Sequence, residues 1–141
     1  MRRNWLALAL FLAALAPASA DVRIRASGGG EVGSYLALFD LVRKSGQRLV
    51  IDGPCLSACT LALSIIPHRR ICVTPRAVLG FHAAVWADRY GNRYSASAET
   101  RVIEAAYPAP VRAWITRHGG LSGKLLLLRG RELAALYPSC R

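Results

Sequence analysis

Ser57 and His82 are the two residues of this chain whose types and surroundings could carry out acyl transfer. Ser57 lies in Asp52-Gly53-Pro54-Cys55-Leu56-Ser57-Ala58-Cys59-Thr60, directly after the apolar run Leu49-Val50-Ile51. It opens a second apolar run, Leu61-Ala62-Leu63-Ser64-Ile65-Ile66. The pattern predicts a strand, a tight turn, a serine and then a buried helix. A hydroxyl placed there stands at a helix N-terminus, where unpaired backbone N–H groups and the dipole favour negative charge. His82 ends a later strand-like stretch, Val78-Leu79-Gly80-Phe81. Upstream, Ser27-Gly28-Gly29-Gly30 offers backbone N–H groups that no side chain shields. A serine, a base and a glycine-rich anion pocket are the parts of an acyl-transfer site. Taken singly, each has a plainer meaning: an N-cap, a packed histidine, a turn. Their order along the chain supports the chemical reading.

That order resembles the ClpP/crotonase superfamily, and within it the proteolytic subunit of the Clp protease. The resemblance runs from about residue 22 to residue 85. It rests on Ser27-Gly28-Gly29-Gly30-Glu31-Val32, a helix, a strand, the Cys55-Leu56-Ser57-Ala58 turn, the strand Arg70-Ile71-Cys72-Val73-Thr74-Pro75 and Phe81-His82. A weaker echo follows at Gly130-Arg131-Glu132-Leu133-Ala134-Ala135. The resemblance implies an α/β fold, a single domain with a mostly parallel sheet and flanking helices. It implies Ser57 as nucleophile, His82 as general base, and the N–H groups of Gly29 and Ala58 as the oxyanion hole. The family's third catalytic member is an Asp before its last helix. The corresponding stretch here, Gly119-Gly120-Leu121-Ser122-Gly123-Lys124-Leu125-Leu126-Leu127-Leu128, has no carboxylate. His82 therefore needs some other group to fix its tautomer. Two function classes follow: a serine hydrolase acting on a peptide or ester, or an inactive binding or structural module of the same fold.

The elements that must position these residues are legible as alternating strands and helices. Val22-Arg23-Ile24-Arg25 alternates as a half-buried strand does. Tyr35, Leu38, Phe39 and Val42 fall on one helical face, expected to be core, and Ser45-Gly46 marks its stop. Arg48 to Asp52 predicts a parallel strand covered on both faces. The Ser57 helix ends at Pro67, and short strands follow near Arg70–Val73 and Ala77–Phe81. Asp88 to Asn92 predicts the tip of a hairpin whose aromatic and arginine content suits either a plain exposed loop or a substrate flap. Ser97 to Ala106 predicts a helix capped by Ser97. Val111, Trp114, Ile115 and His118 form a second helical face, with His118 near the helix C-terminus as a dipole partner. Arg131 to Tyr137 predicts the last helix.

Residues 1–20 have the form of a secretory signal. Arg2 and Arg3 precede a 12-residue apolar stretch, Trp5 to Ala16, and Ala18-Ser19-Ala20 supplies the cleavage site. Twelve apolar residues are too few to span a bilayer. Cleavage after Ala20 leaves 121 residues, 21–141, enough for one domain, in the periplasm or secreted. In such a compartment Cys55, Cys59, Cys72 and Cys140 are expected to form two disulfides. A Cys55–Cys59 pair closes a very short loop, so separate partners for each, drawn from Cys72 and Cys140, are preferred. Neither a His nor a carboxylate lies at ligand spacing beside them, so no metal is expected, and no cofactor. The chain carries a formal charge of +11; without Arg2 and Arg3, its 19 Lys and Arg become 17 against 8 acids, a net of +9. The arginines are dispersed and no nucleic-acid-binding motif accompanies them. They point to a solvated surface with weak attraction to anionic envelope lipids or glycans. A homo-oligomer stays open.

Overall fold

Among the described residues, fourteen short elements and one long helix place the ends of three strands side by side. The computed structural model describes residues 20–141; the signal expected over residues 1–20 lies outside the described residues except for Ala20. The first sheet is wholly parallel. In it β1 (Val22–Ile24) pairs with β2 (Leu49–Ile51), and β2 pairs with β4 (Ile71–Val73). In the second sheet, β3 (Pro54–Leu56) pairs in parallel with β5 (Val78–Phe81), and β8 (Leu126–Arg129) closes the other side of β5 antiparallel. A two-stranded antiparallel hairpin, β6 (Val85–Ala87) and β7 (Arg93–Ser95), stands apart. The helices are α1 (Val32–Ser45), α2 (Ala62–Ile65), α3 (Ser97–Ala106), α4 (Ala109–Arg117) and α5 (Gly130–Leu136). Single 3₁₀ turns, Ser57–Leu61 and His68–Arg70, lead into α2 and β4.

The result is a small α/β domain, but its sheets are short and mixed rather than one mostly parallel sheet. The expected parallel strands pair as such. What breaks the pattern is Leu126–Arg129, which lies in a stretch with no turn signal between its leucines and which tertiary pairing with β5 makes into an antiparallel strand. Pro54–Leu56 likewise reads as turn but forms β3. Its proline, exposed at the strand's first position, has no N–H to lose.

Burial explains why these segments hold. β2 is buried at all three positions, as a parallel strand covered on both faces requires. Phe39 and Val42 of α1 join that core, as do Val111, Trp114 and Ile115 of α4. Leu38, expected in the core, is instead 50% exposed, because α1 turns only part of its apolar face toward the sheet. Ser97 is not the cap of α3; Ala96 occupies that position without a side-chain bond. His118 does sit at the C-cap of α4, where its Nδ1–H donates to Trp114 O and its ring stacks on the Trp114 indole. Gly53 is needed for close approach: a Cβ there would lie 1.9 Å from Arg25 O.

Both disulfides form, with a pairing opposite to the expected one: Cys55 with Cys59, and Cys72 with Cys140. The 3₁₀ turn after Leu56 folds the chain back so that the Cα atoms of Cys55 and Cys59 come within 5.2 Å, inside bridging range despite the short span. At the other pair, Val73 N–H donates to Pro138 O and Cys140 N–H donates to Val73 O. That parallel contact lays the C-terminal segment along β4. No cysteine remains free. Two disulfides fit an oxidising, exported setting. Among the described residues no helix is long and apolar enough to cross a membrane.

The Cys72–Cys140 bridge spans 68 residues and the Cys55–Cys59 bridge 4. Loop-closure entropy assigns them about 4 and about 2 kcal/mol respectively. Urea unfolding of the two double Cys→Ser variants should therefore show the larger loss for Cys72/Cys140; equal losses would refute a chain-entropy origin. Asp52, only 6% exposed, accepts from Arg76 Nη2 at 2.6 Å, Thr74 Oγ1 at 2.8 Å and Arg23 Nη1 at 3.0 Å. Arg76, then Thr74 and Arg23, hold its pKa far below the ordinary 3.8, against the opposing effect of burial. A folded pKa below the unfolded one contributes stability that is complete above about pH 5 and lost as pH falls through the acid range. The melting temperature of Asp52→Asn should lie below wild type at pH 7 and fall less steeply below pH 4.

Candidate active site

Strand register brings the two predicted reactive residues together. In the β3–β5 pair Leu56 lies opposite Gly80. Ser57 directly follows the C-terminal end of one strand and His82 that of the other. Their side chains meet with Ser57 Oγ 2.7 Å from His82 Nε2. The glycine loop joins them because Ser27 bridges in parallel to Cys55, with Leu56 N–H donating to Ser27 O at 2.9 Å. Three chain segments thus end at one edge, the C-terminal one, where open α/β sheets gather their sites.

Ser57 does not cap the helix that follows it. Its hydroxyl turns to His82, and it is the one non-glycine residue with positive φ, 56°, among the described residues. An L-residue held in the left-handed region costs about 1–2 kcal/mol. Such strain is kept where the surroundings over-determine it. Here the restraints are identifiable. The Cys55–Cys59 bridge brackets the serine on both sides. Thr60 Oγ1–H donates to Ser57 O at 2.7 Å, and Tyr107 O–H donates to Thr60 Oγ1 at 2.6 Å. Thr60 is fully buried and Tyr107 nearly so, which pushes the Tyr107 hydroxyl pKa upward. Nothing in the local sequence around Thr60 or Tyr107 marks them as partners. They lie 47 residues apart in sequence and no local motif links them.

His82 finds its missing orienting group in the backbone. Nδ1 lies 2.6 Å from Ala83 O. A carbonyl only accepts, so Nδ1 carries the proton and Nε2 is left to accept from Ser57 Oγ–H. This is the tautomer a general base needs. Ala83 is itself pinned by its N–H to Ser122 O at 2.8 Å. The Gly119–Leu128 stretch that lacks a carboxylate therefore still contributes, through a main-chain oxygen.

Gly29 and Ala58 both lie against the nucleophile. Gly29 has φ 84°, and a Cβ on it would fall 2.5 Å from Ser57 Cβ, 2.7 Å from Leu56 O and 3.0 Å from Ala58 N. Only glycine fits there. Ala58 N–H belongs to the first turn of a helix, where N–H groups have no intrahelical acceptor. The Gly29 N–H turns toward Ser27 Oγ at 3.4 Å, a contact at the outer limit of hydrogen bonding that an anion could displace. Ser27 Oγ is also 2.7 Å from Tyr35 OH, so α1 anchors the loop. A cleft of about 40 Å³ opens beside Ser57 and His82, between Ala58, Leu61, Ala84, Ile103 and Tyr107. A larger groove of about 440 Å³, between β1 and α1, lies away from the dyad.

No protein-family model matches the chain, and no curated protein matches it.

The strained backbone at Ser57 yields a direct test. Ser57→Ala and Ser57→Gly both remove the hydroxyl, but only glycine relieves the positive φ. Ser57→Gly should be the more stable of the two by roughly 1 kcal/mol in denaturant unfolding. Equal stability would mean that residue 57 is not held in the left-handed region in solution.

Proposed function

We propose that this chain is an exported serine hydrolase of the ClpP/crotonase-like kind, acting on an ester or a peptide. The observation that carries the reading is the 2.7 Å contact between Ser57 Oγ and His82 Nε2, made while Nδ1 is held by Ala83 O. A nucleophile and base in hydrogen-bond reach, with the base oriented from its far side, is the arrangement that activates a serine hydroxyl. The positive φ at Ser57, the close-packed Gly29 and the free N–H of the helix's first turn support the same reading. The parallel strands β1, β2 and β4, and the chain order of glycine loop, serine and histidine, support the family core. The two disulfides support export to the periplasm or beyond.

In this mechanism Ser57 Oγ bonds to the substrate's carbonyl carbon as its proton passes to His82 Nε2. The oxygen that gains charge faces the N–H groups of Gly29 and Ala58. Nε2 then gives the proton to the leaving alcohol or amine as the C–O or C–N bond breaks. A water molecule repeats the sequence on the acyl-serine, losing its proton to Nε2 and restoring the Ser57 hydroxyl. The imidazolium that forms faces the dipole of the Ala83 carbonyl rather than a full negative charge. That gives it less electrostatic support than a carboxylate would.

A second reading, an inactive module of the same fold, draws on that same lack of a carboxylate partner. A fluorophosphonate probe separates the two. Labelling of the folded, oxidised protein that is lost in Ser57→Ala and reduced by about two orders of magnitude or more in His82→Ala would support the hydrolase. No labelling of folded protein would favour the module.

A further inference from the structure

We infer that forming the Cys55–Cys59 bridge switches the site on, so that the chain gains its activity only where thiols are oxidised. The inference rests on the Ser57–His82 reading and adds its regulation. Ser57 is the midpoint of the bridged segment, two residues after one cysteine and two before the other. It is also the residue of that segment with positive φ, 56°. The bridge therefore closes a loop around the point of strain.

Burial makes the two redox states differ there. Cys55 and Cys59 are both 0% exposed, with Cα atoms 5.2 Å apart. Two sulfurs that share no bond stand further apart than bonded ones, and in a close-packed interior the extra room has to come from the neighbours. Cys55 is held in place: it lies on β3, paired with Leu79 of β5 on one side and with Ser27 on the other. The part that yields is the turn from Ser57 to Cys59. Once it opens, Ser57 relaxes out of the left-handed region toward ordinary backbone angles. Its hydroxyl then leaves the 2.7 Å contact with His82. The bond from Thr60 Oγ1–H reaches only the Ser57 carbonyl, beyond the N–Cα bond about which φ turns.

The oxidant is an oxidised dithiol protein or oxidised glutathione, acting by thiol–disulfide exchange. The thiolate of one cysteine attacks the oxidant's disulfide, and one sulfur of the oxidant leaves. The thiolate of the second cysteine then attacks the mixed disulfide at the first cysteine's sulfur. The bridge forms and the oxidant's other sulfur leaves. Two electrons pass to the oxidant, and the two thiol protons go to its departing sulfurs. Before export a reducing cytosol keeps both cysteines as thiols and the serine idle. After export the enclosed bridge is out of reach of small thiols in the folded protein, so the change runs one way.

The test compares fluorophosphonate labelling of the oxidised wild type, Cys55→Ala/Cys59→Ala and Cys72→Ala/Cys140→Ala, each per folded molecule by circular dichroism. The Cys55/Cys59 variant should label at least about tenfold more slowly, since a misplacement of about 1 Å can cost about a hundredfold. The Cys72/Cys140 variant should label like wild type. Stability should fall in the opposite order, because the 68-residue span is the longer. Instability alone cannot produce that crossing. A second measurement follows reduced, unfolded wild type as it refolds in reduced and oxidised glutathione. Labelling should rise with the Cys55–Cys59 bridge, seen by peptide mass mapping, and not with the recovery of secondary structure. Wild-type labelling in the folded Cys55/Cys59 variant overturns the switch and leaves the hydrolase reading standing, as does labelling that drops equally in both variants. If the Cys55/Cys59 variant does not fold, the refolding series decides, and labelling that returns ahead of the bridge overturns the switch. Absence of labelling in the oxidised wild type overturns the Ser57–His82 reading, and this inference with it.

Discussion

The parallel pairing of Pro54–Leu56 with Val78–Phe81 is the constraint on which the candidate site depends. It sets Leu56 opposite Gly80, and so delivers Ser57 and His82 to the same end of adjacent strands. A one-residue slip would turn every side chain on the strand to the other face. The register is guarded by burial, since Cys55 and Leu79 are wholly enclosed. It is guarded as well by Gly80, where a Cβ would stand 2.5 Å from the Leu56 side chain. Leu128 on β8 encloses Leu79 from the far side. The antiparallel strand that departs from the expected sheet is thus part of what keeps the dyad in line.

The second requirement is to hold Ser57 in a conformation it would not choose. Local and distant restraints share that task. The Cys55–Cys59 bridge is local and limits the unfolded chain as well as the turn. The Thr60–Tyr107 pair is distant in sequence and links the turn to the end of α3, which also forms a wall of the cleft. A single set of buried contacts therefore aims the nucleophile and shapes the space beside it. The Cys72–Cys140 bridge has a separate role. It fastens the C-terminal segment to β4, away from the dyad, where a short chain would otherwise fray.

The electrostatics are divided in the same way. Among the described residues the buried charge is Asp52, enclosed by Arg23, Thr74 and Arg76 at the end of β2. It sustains the fold and does not touch His82. At the dyad itself the orienting group is a neutral carbonyl. Stability in acid and the strength of the base are therefore set by different residues.

The sequence by itself determined the alternation of strands and helices, the serine turn, the glycine loop, the histidine at a strand end and the presence of disulfides. Each of these is written in local chemistry: apolar periodicity, glycine where no side chain fits, an even set of cysteines in a chain with a signal-like start. Only the tertiary structure decided the rest. Cys55 pairs with Cys59 because a 3₁₀ turn doubles the chain back, which spacing alone made look unfavourable. Leu126–Arg129 is a strand because β5 offers it an edge. Leu38 is exposed because the helix packs with part of its apolar face. The partner of His82 was not legible because it is a backbone carbonyl, and every residue has one. Which carbonyl lies within reach of Nδ1 depends on how the chain turns after β5, and no side-chain pattern encodes that turn.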